Sequence, residues 1–294
     1  MLQSVSGTGI DAAQFARCTP VHQLSLCVQQ NRVMVARQDP PWKVVRAFRQ
    51  PGAWTLVHLN NVSGGVLAGD RLALDVEVEA GASAQITTTG ATRLYRHRAG
   101  ASDSEQRATF RVAEQGRLEY LPDPVIPYAG SRHAQRTDIR LAAGACLFWW
   151  EVLAPGRHAF GETFAFERLR IEIDIRTGNR PLLHEDFLLE PRKRPLAVAA
   201  RMGMYSYVAS LYVCHNGRPP GFWRDLEDEL NHLARERSQP SEALWGASTL
   251  QSDGVVVRGL STSQCFLPGA LTEFWRLARK AVTGEDAVPP RKVY

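Results

Sequence analysis

Several patterns that define common protein classes are missing from this chain of 294 residues. Its five cysteines are an odd number, lie far apart and form no C-x-x-C pair, which argues against a disulfide framework or a structural zinc site. No apolar run approaches the roughly 18 residues of a membrane span. The N-terminus, MLQSVSGTGIDAAQFARC, has neither a basic start nor an apolar core, so no secretory signal is predicted. We therefore expect a cytoplasmic protein whose residues 1–20 are loosely ordered.

The signatures of well-known enzyme and nucleotide sites are missing as well. The chain has no G-x-S-x-G nucleophile turn and no H-E-x-x-H zinc helix. Gly64, Gly65 and Gly69 suggest a phosphate loop, but Asp70 and an alternating strand follow them where a phosphate site needs a helix N-terminus. The glycines instead indicate a tight turn, which Asp70 is suited to cap.

The formal net charge of +5, with a pI near 9.1, raises the question of a nucleic-acid partner. Acidic residues are interleaved with the basic ones almost everywhere, as in 167-ERLRIEIDIR-176. The densest basic run, 192-RKR-194, stands between two prolines and is typical of an exposed loop. The pattern favours a solvated surface or an acidic protein partner over a nucleic-acid groove.

Alternation of apolar and polar residues predicts β-strands through most of the chain. The clearest case is 168-RLRIEIDI-175, where Leu169, Ile171 and Ile173 face one way and charged residues face the other. Gly178-Asn179 predicts a hairpin from this strand to the next. The predicted strands are 71–79, 83–95, 105–112, 117–128, 136–142, 145–153, 168–175, 181–189 and 254–260.

Turn glycines recur between predicted strands at intervals of roughly thirty residues, at Gly81, Gly116, Gly144 and Gly178. Such spacing favours stacked β layers. Apolar stripes predict two helices, 222–237 and 271–282, with Gly284 ending the second. We predict a mostly β, single-domain fold over residues 21–294, built of stacked, solenoid-like (β-helix-like) sheets with two α-helices in the C-terminal half.

Polar residues inside otherwise apolar strands are the candidates for chemistry. A carboxylate between apolar neighbours is costly to bury unless it is paired, hydrogen-bonded or bound to a cation. Three interpretations are open: arginine partners for each acid, a water-filled passage for a divalent cation, or an acid-base pair of a glycosidase. The residues concerned are Asp70, Thr87, Thr88, Thr89, Glu151, Glu185 and Asp186.

A set of motifs, in order, resembles the urease accessory protein UreD (UreH) family. The chain has Gly64-Gly65, then 69-GDRL-72, 81-GASA-84 and 87-TTTGATRLY-95. Further similar stretches are 118-LEYLPDPVIPYAGS-131, 150-WE-151, 161-GETF-164, 182-LLHEDFLLE-190 and 276-RLARKAVTGEDAVPPRKVY-294. The resemblance spans roughly residues 22 to 294 and is weakest over 191–260.

The resemblance implies a protein that is not an enzyme and that loads nickel into urease. It implies a place between apo-urease and a UreF-type accessory protein that holds a UreG-type GTPase, with nickel crossing the interior. It implies transient Ni(II) and no tightly bound cofactor, no nucleic acid, no membrane, and a dimer, if any, through the accessory complex. Oxygen donors outside a Cys/His cage release nickel readily. On this basis we expect a wet channel bordered by Asp70, Thr87, Thr88, Glu151 and Glu185.

Two other functions remain as alternatives from the sequence. A β-helical carbohydrate hydrolase would use Glu151 with Glu185 or Asp186 as its acid and base. A basic, nucleic-acid-binding β protein would show an affinity that falls steeply with salt. Trp223 and Trp275 in the two helices are candidate docking anchors, with core packing as the plainer interpretation.

Overall fold

The computed structural model describes residues 20–30 and 32–290, so most of the segment expected to be loosely ordered, 1–20, lies outside the described residues. Within them the chain forms eighteen strands and two α-helices. The first nine strands are β1 (Val21–Gln29), β2 (Arg32–Gln38), β3 (Trp42–Lys43), β4 (Ala47–Arg49), β5 (Trp54–Asn61), β6 (Arg71–Val78), β7 (Ser83–Thr88), β8 (Thr92–Leu94) and β9 (Ser104–Val112). The remaining elements are β10 (Arg117–Tyr120), β11 (Val125–Pro127), β12 (Arg132–Leu141), β13 (Cys146–Leu153), β14 (Arg168–Thr177), β15 (Arg180–Leu189), β16 (Tyr207–His215), α1 (Pro220–Arg237), β17 (Ala243–Thr249), β18 (Gly254–Ser261) and α2 (Leu267–Thr283).

These strands form two sheets. The first sheet has seven strands in the order β15-β14-β12-β9-β6-β1-β2. The second sheet has the main order β17-β18-β16-β13-β10-β7-β5-β3, with β4, β8 and β11 attached beside it. The mostly β architecture predicted from the alternation pattern is therefore confirmed.

The middle of the chain winds back and forth between the two sheets in parallel layers. β6, β9, β12 and β14 pair in parallel in the first sheet, and β7, β10 and β13 do so in the second. The short strands β8 and β11 pair in parallel at the corner between them. Gly81, Gly116 and Gly144 stand between consecutive strands, as predicted, but the chain crosses there from the first sheet to the second and does not form hairpins. The hairpin predicted at Gly178-Asn179 is confirmed, and it ends the layering because β15 reverses direction against β14.

An apolar core fills the space between the sheets. Side chains alternate in direction along a strand, so Leu72, Leu74, Val76 and Val78 of β6 all point inward and are buried. On the facing side, Tyr120 and Trp149 are paired on neighbouring strands of the second sheet, and their rings stack with centroids 4.2 Å apart. Burying each such side chain contributes about 1.5–3 kcal/mol relative to leaving it exposed.

The two helices cover the outer face of the second sheet and enclose another apolar cluster. α1 starts at Pro220, where the missing N–H costs nothing, and α2 ends at Gly284 in the left-handed conformation with φ of 74°. Trp223 and Trp275 are only 3% and 0% exposed. They fill this second core, so the interpretation of their side chains as docking anchors is wrong.

The differences from the predicted strands have local causes. Segment 83–95 forms β7 and β8 instead of one strand, because the chain turns a corner of the layer at 89–91. Segment 117–128 is divided in the same way, at the prolines of 121-LPDP-124. β16 is missing from the predicted strands because it is buried on both faces and therefore shows no alternation of apolar and polar residues.

Candidate functional site

A cavity of about 410 Å³ opens between β13, the β14–β15 hairpin and β16. Its walls are mainly apolar, and its polar lining consists of Gln135, Glu151, Arg201, Ser210, Tyr212 and Arg258. Glu151, Ser210 and Arg258 lie directly opposite one another on the neighbouring strands β13, β16 and β18. Residues paired in this way point to the same face of a sheet, so the layering itself brings the three polar groups together.

Glu151 is the carboxylate in this cavity that has the fewest partners. The amide nitrogen of Gln135 donates to its Oε1 over 3.3 Å, and no cation lies within 4.0 Å of it among the described residues. Burial among apolar side chains raises the pKa of Glu151 to about 7, although the neighbouring Trp149 indole, Arg258 and Gln135 act in the opposite direction. The carboxylate therefore retains lone pairs that the described protein groups do not use.

Glu185, the second predicted carboxylate, is fully committed. Its Oε1 forms an ion pair with Arg258, and its Oε2 accepts a hydrogen bond from the Tyr212 hydroxyl at 2.9 Å. Arg258 also donates to Ser210 Oγ at 2.9 Å. Asp186 points to the opposite face of β15, where Arg170 binds it through two hydrogen bonds of 2.9 and 2.8 Å. For both acids the arginine interpretation of the sequence holds.

The two predicted threonines lie on opposite faces of β7. The Thr87 hydroxyl is buried and donates to the Leu121 carbonyl at 2.6 Å. The Thr88 hydroxyl donates to Asp123 Oδ2 at 2.9 Å and accepts from the Asp123 N–H at 2.8 Å. Thr88 lines a second cavity, of about 230 Å³, and Thr87 does not.

Asp70 caps the glycine turn. Its Oδ2 accepts the backbone N–H of Leu67 at 2.8 Å, which holds the turn that leads into β6. At Gly65 the chain passes so close to the next layer that an added methyl group would lie 2.6 Å from the Arg93 carbonyl oxygen and from the Tyr95 ring. The glycine-rich stretch thus packs two layers together, and in the described structure no hydrogen bond or ion pair joins Asp70 to Glu151 or Glu185.

A row of inward polar side chains runs from the wall of one cavity to the wall of the other. Tyr120 of β10 pairs with Ile86 of β7 on one side and with Trp149 of β13 on the other. Thr88 and Glu151 each lie two residues further along these strands, so they stand at the same level of the second sheet. Opposite them in the first sheet, Gln106 of β9 pairs directly with Gln135 of β12. Thr88 and Gln106 line the smaller cavity, and Gln135 and Glu151 line the larger one.

One histidine is buried close to this row. His133, two residues before Gln135, is 2% exposed, and its Nδ1 lies 2.9 Å from Ser104 Oγ. Its Nε2 has no hydrogen-bond partner in the described part of the chain. Burial lowers the pKa of His133 to about 4, so the ring is neutral at neutral pH.

A separate buried ion pair ties the C-terminal segment to the second sheet. Arg279 Nε donates to Glu119 Oε1 at 2.6 Å, with both side chains almost fully buried. Gln85 donates to the other Glu119 oxygen at 2.6 Å and to the Val288 carbonyl at 2.9 Å. Glu285 joins the network through Arg279 at 3.3 Å and also pairs with Arg117 at 2.6 Å. All these carboxylates are paired, so the network is structural.

The sequence drew attention to Thr88 and Glu151 but missed their neighbours. Gln106 and Gln135 lie on the inward side of otherwise apolar strand positions, a pattern that can be read from 105-EQRATFRV-112 once its inward face is known. Ser210, Tyr212 and Arg258 come from strands whose position in the sheet has no sequence signal. Within residues 20–30 and 32–290, no three His, Cys, Asp or Glu side chains form a group that could hold a metal ion.

The helices of the described part are too short or too polar to cross a membrane. Together, the fold and the site define a layered β protein with a carboxylate-bearing polar row in its interior.

Comparison with known proteins identifies the family. The UreD urease accessory protein family matches residues 22–294. A urease accessory protein UreD of Herpetosiphon aurantiacus is 43% identical over 270 residues, which cover 90% of this chain and 92% of the relative. The UreD of Pseudomonas aeruginosa strain UCBPP-PA14 is 32% identical over 265 residues, 88% of each chain. That of Bacillus sp. strain TB-90 is 24% identical over 278 residues, 94% of this chain and 99% of the relative. The chain belongs to the UreD family of urease accessory proteins.

Proposed function

We propose that this protein is a scaffold in urease maturation that guides Ni(II) through its interior. In this proposal it binds apo-urease on one side and a UreF-type accessory protein on another, with a UreG-type GTPase bound through UreF. The nickel ion is cargo and is held only in transit.

The polar row between the two cavities is the observation that supports this proposal. An ion moving through an apolar core would lose its hydration without replacement, at a large cost in free energy. Amide, hydroxyl and carboxylate oxygens from Thr88, Gln106, Gln135 and Glu151 offer replacement at successive positions. Gln106 lines the smaller cavity and Gln135 the larger one, and the two residues pair directly on neighbouring strands. An ion would therefore move only a short distance from one oxygen donor to the next.

Glu151 is the donor that we expect to matter most. Glu185 already has Arg258 and Tyr212 as partners, whereas Glu151 accepts a hydrogen bond from the Gln135 amide and has no ion-pair partner within 4.0 Å in the described structure. A single carboxylate with amide neighbours binds nickel weakly compared with a cluster of imidazoles and thiolates, and a carrier must release its ion. Asp70 and Thr87 serve the turn and the backbone instead.

The test is co-expression of the chain with apo-urease and the other accessory proteins. Glu151→Gln and Thr88→Val should leave the assembled complex intact, while the nickel content and activity of the urease fall several-fold. Glu77→Gln, an exposed carboxylate on the outer face of β6, is the matched control and should behave as wild type. Loss of the complex itself would make Glu151 structural, and unchanged nickel content would refute the path.

The glycosidase alternative has no geometric support. Asp186 faces away from Glu151, and both oxygens of Glu185 are occupied by protein groups. An acid-base pair needs two carboxyl groups that face one substrate site.

A further inference from the structure

The loops that lead into β9, β12 and β14 from the second sheet meet, at one end of the layered strands, the loop that leads from β15 to β16. They are residues 95–103, 128–131, 154–167 and 190–206, and we call this region the loop end. Backbone hydrogen bonds connect the first three, from the His97 N–H to the Gly130 carbonyl at 2.8 Å and from the Gly130 N–H to the Ala165 carbonyl at 2.9 Å. An ion pair of 3.7 Å between Arg192 and Glu167 connects the fourth.

The loop end carries an excess of positive charge. With the first residues of β12 and β14, it holds nine Lys and Arg residues against four Asp and Glu residues, a surplus as large as the formal charge of +5 of the whole chain. The nine basic residues are Arg96, Arg98, Arg132, Arg157, Arg168, Arg192, Lys193, Arg194 and Arg201. All nine are exposed, whereas the four acidic residues, Asp103, Glu162, Glu167 and Glu190, are only partly accessible.

The acids of the loop end neutralise only some of these bases. Asp103 is shared between Arg132 and Arg168, at 4.0 and 3.8 Å. In the described part of the chain, Arg98 and Arg194 have no carboxylate within 4.0 Å. The surface that an approaching molecule meets is therefore basic, with the acids set beneath it.

The outer face of the first sheet shows that this excess is local. Its arginines alternate with acids along and across the strands, as in Arg140 with Asp138 at 2.7 Å and Arg170 with Asp186 at 2.8 Å. Such pairs cancel one another over a short distance, so the sheet face has no comparable surplus.

Aromatic side chains stand among the arginines of the loop end. Phe160 is 77% exposed, and the Arg157 guanidinium lies 5.3 Å from its ring centroid and 4.8 Å from that of Tyr128. Arginine and aromatic residues are enriched at the centres of protein interfaces. A guanidinium also binds a carboxylate through two parallel hydrogen bonds, which an ammonium group cannot do.

We propose that the loop end is a docking face for the acidic surface of a protein partner. The proposal rests on the function proposed above, since the partner would belong to the urease assembly. Leu196, Arg201 and Met202 of the loop 190–206 also line the cavity that holds Glu151. A partner seated on the loop end therefore lies at the mouth of that cavity, where cargo would enter or leave.

Charge reversal tests this proposal. The variant Arg96→Glu/Arg98→Glu/Arg194→Glu changes three exposed side chains that have no ion-pair partner within 4.0 Å in the described structure. The control Arg111→Glu/Arg224→Glu/Arg235→Glu makes the same change in net charge at exposed arginines spread over the sheet and α1. Purified apo-urease and purified UreF-type protein are the probes, with association rates measured at about 50 mM and about 200 mM salt, which bracket strong and weak screening.

With at least one probe, we expect the loop-end variant to associate about tenfold more slowly than wild type at the lower salt concentration, and the control to stay close to wild type. Higher salt should reduce the difference, and unchanged thermal melting would show that both variants fold. Equal rates for the two variants would overturn this inference and leave the proposed function standing. Binding of neither probe by the wild type would overturn both. Binding of a short DNA duplex in place of either protein would identify the loop end as a nucleic-acid surface and also overturn the inference.

Discussion

The buried pair of Arg279 and Glu119 allows a sharp prediction about stability. The two side chains are 3% and 0% exposed, and α2 and β10 are joined through them. Removing one partner of such a pair leaves a charge in the interior without compensation, which costs about 3–5 kcal/mol. We therefore expect Arg279→Met to lower the free energy of unfolding by this amount. At about 2–4 °C per kcal/mol for a chain of this size, the melting temperature should fall by roughly 6–20 °C.

The double variant Glu119→Leu/Arg279→Met separates charge burial from packing. When both charges are removed, no unpaired ion remains, and the double variant should melt well above Arg279→Met alone. Glu285 keeps Arg117 as a partner in both variants. The loss of the Arg279 side chain therefore affects Glu285 equally in both, and the difference between their melting temperatures reports on Glu119. Differential scanning fluorimetry on the wild type, the two single variants and the double variant measures the coupling. A double variant that loses as much as the two single changes together would refute the reasoning, and so would a negligible effect of Arg279→Met.

The same pair predicts how the end of the described chain is held. Arg279 also donates to the Asp286 carbonyl, and Gln85 binds the Val288 carbonyl at 2.9 Å. We expect Arg279→Met to speed limited proteolysis after residue 284 before the rest of the protein opens. Lys280→Met, which removes only the exposed pair with Asp286, is the matched control.

Two further predictions concern the interior. Gly65→Ala should cost about 1–3 kcal/mol of stability, because its methyl group would strike Arg93 and Tyr95, whereas Gly90→Ala, with nothing within 4 Å, should be nearly neutral in a thermal melt. The pKa of His133 is about 4 in the folded protein against an ordinary value of 6.5, so its contribution to stability is present above pH 6.5 and is lost as pH falls towards 4. Compared with His133→Gln, the wild type should lose up to roughly 3 kcal/mol more over that range, and parallel curves for the two proteins would contradict this.

Much of the fold could be predicted from local patterns. The predicted bounds of β14 agree closely with the structure. Its apolar residues alternate with charged ones, which is the pattern of a half-buried strand, and they are Leu169, Ile171, Ile173 and Ile175. The two helices are predicted in the same way, from apolar residues that recur with the period of a helix instead of that of a strand. The patterns do not predict β16, because a strand that is buried on both faces shows no alternation. They also do not predict the corners at 89–91 and 121–124, because a bend within a layer leaves no regular signal.

The candidate site was predicted only in part. A glutamate inside an apolar strand draws attention wherever it occurs, so Glu151 and Glu185 were both selected. Which of them retains free lone pairs depends on Arg258, 73 residues from Glu185 along the chain. Which of Thr87 and Thr88 faces the space between the two sheets depends on a single step in the alternation of β7, and a row of three threonines hides that step.

The sequence by itself determined that this chain forms layered sheets with two helices and belongs among the UreD proteins, because strand alternation, turn glycines and ordered motifs are local properties. The tertiary structure alone decided which carboxylate is left without an arginine, which polar side chains line the two cavities, and where the surplus of positive charge lies. These depend on which strands become neighbours and which loops meet at one end. Residues far apart in sequence settle them, through distances that no local pattern records.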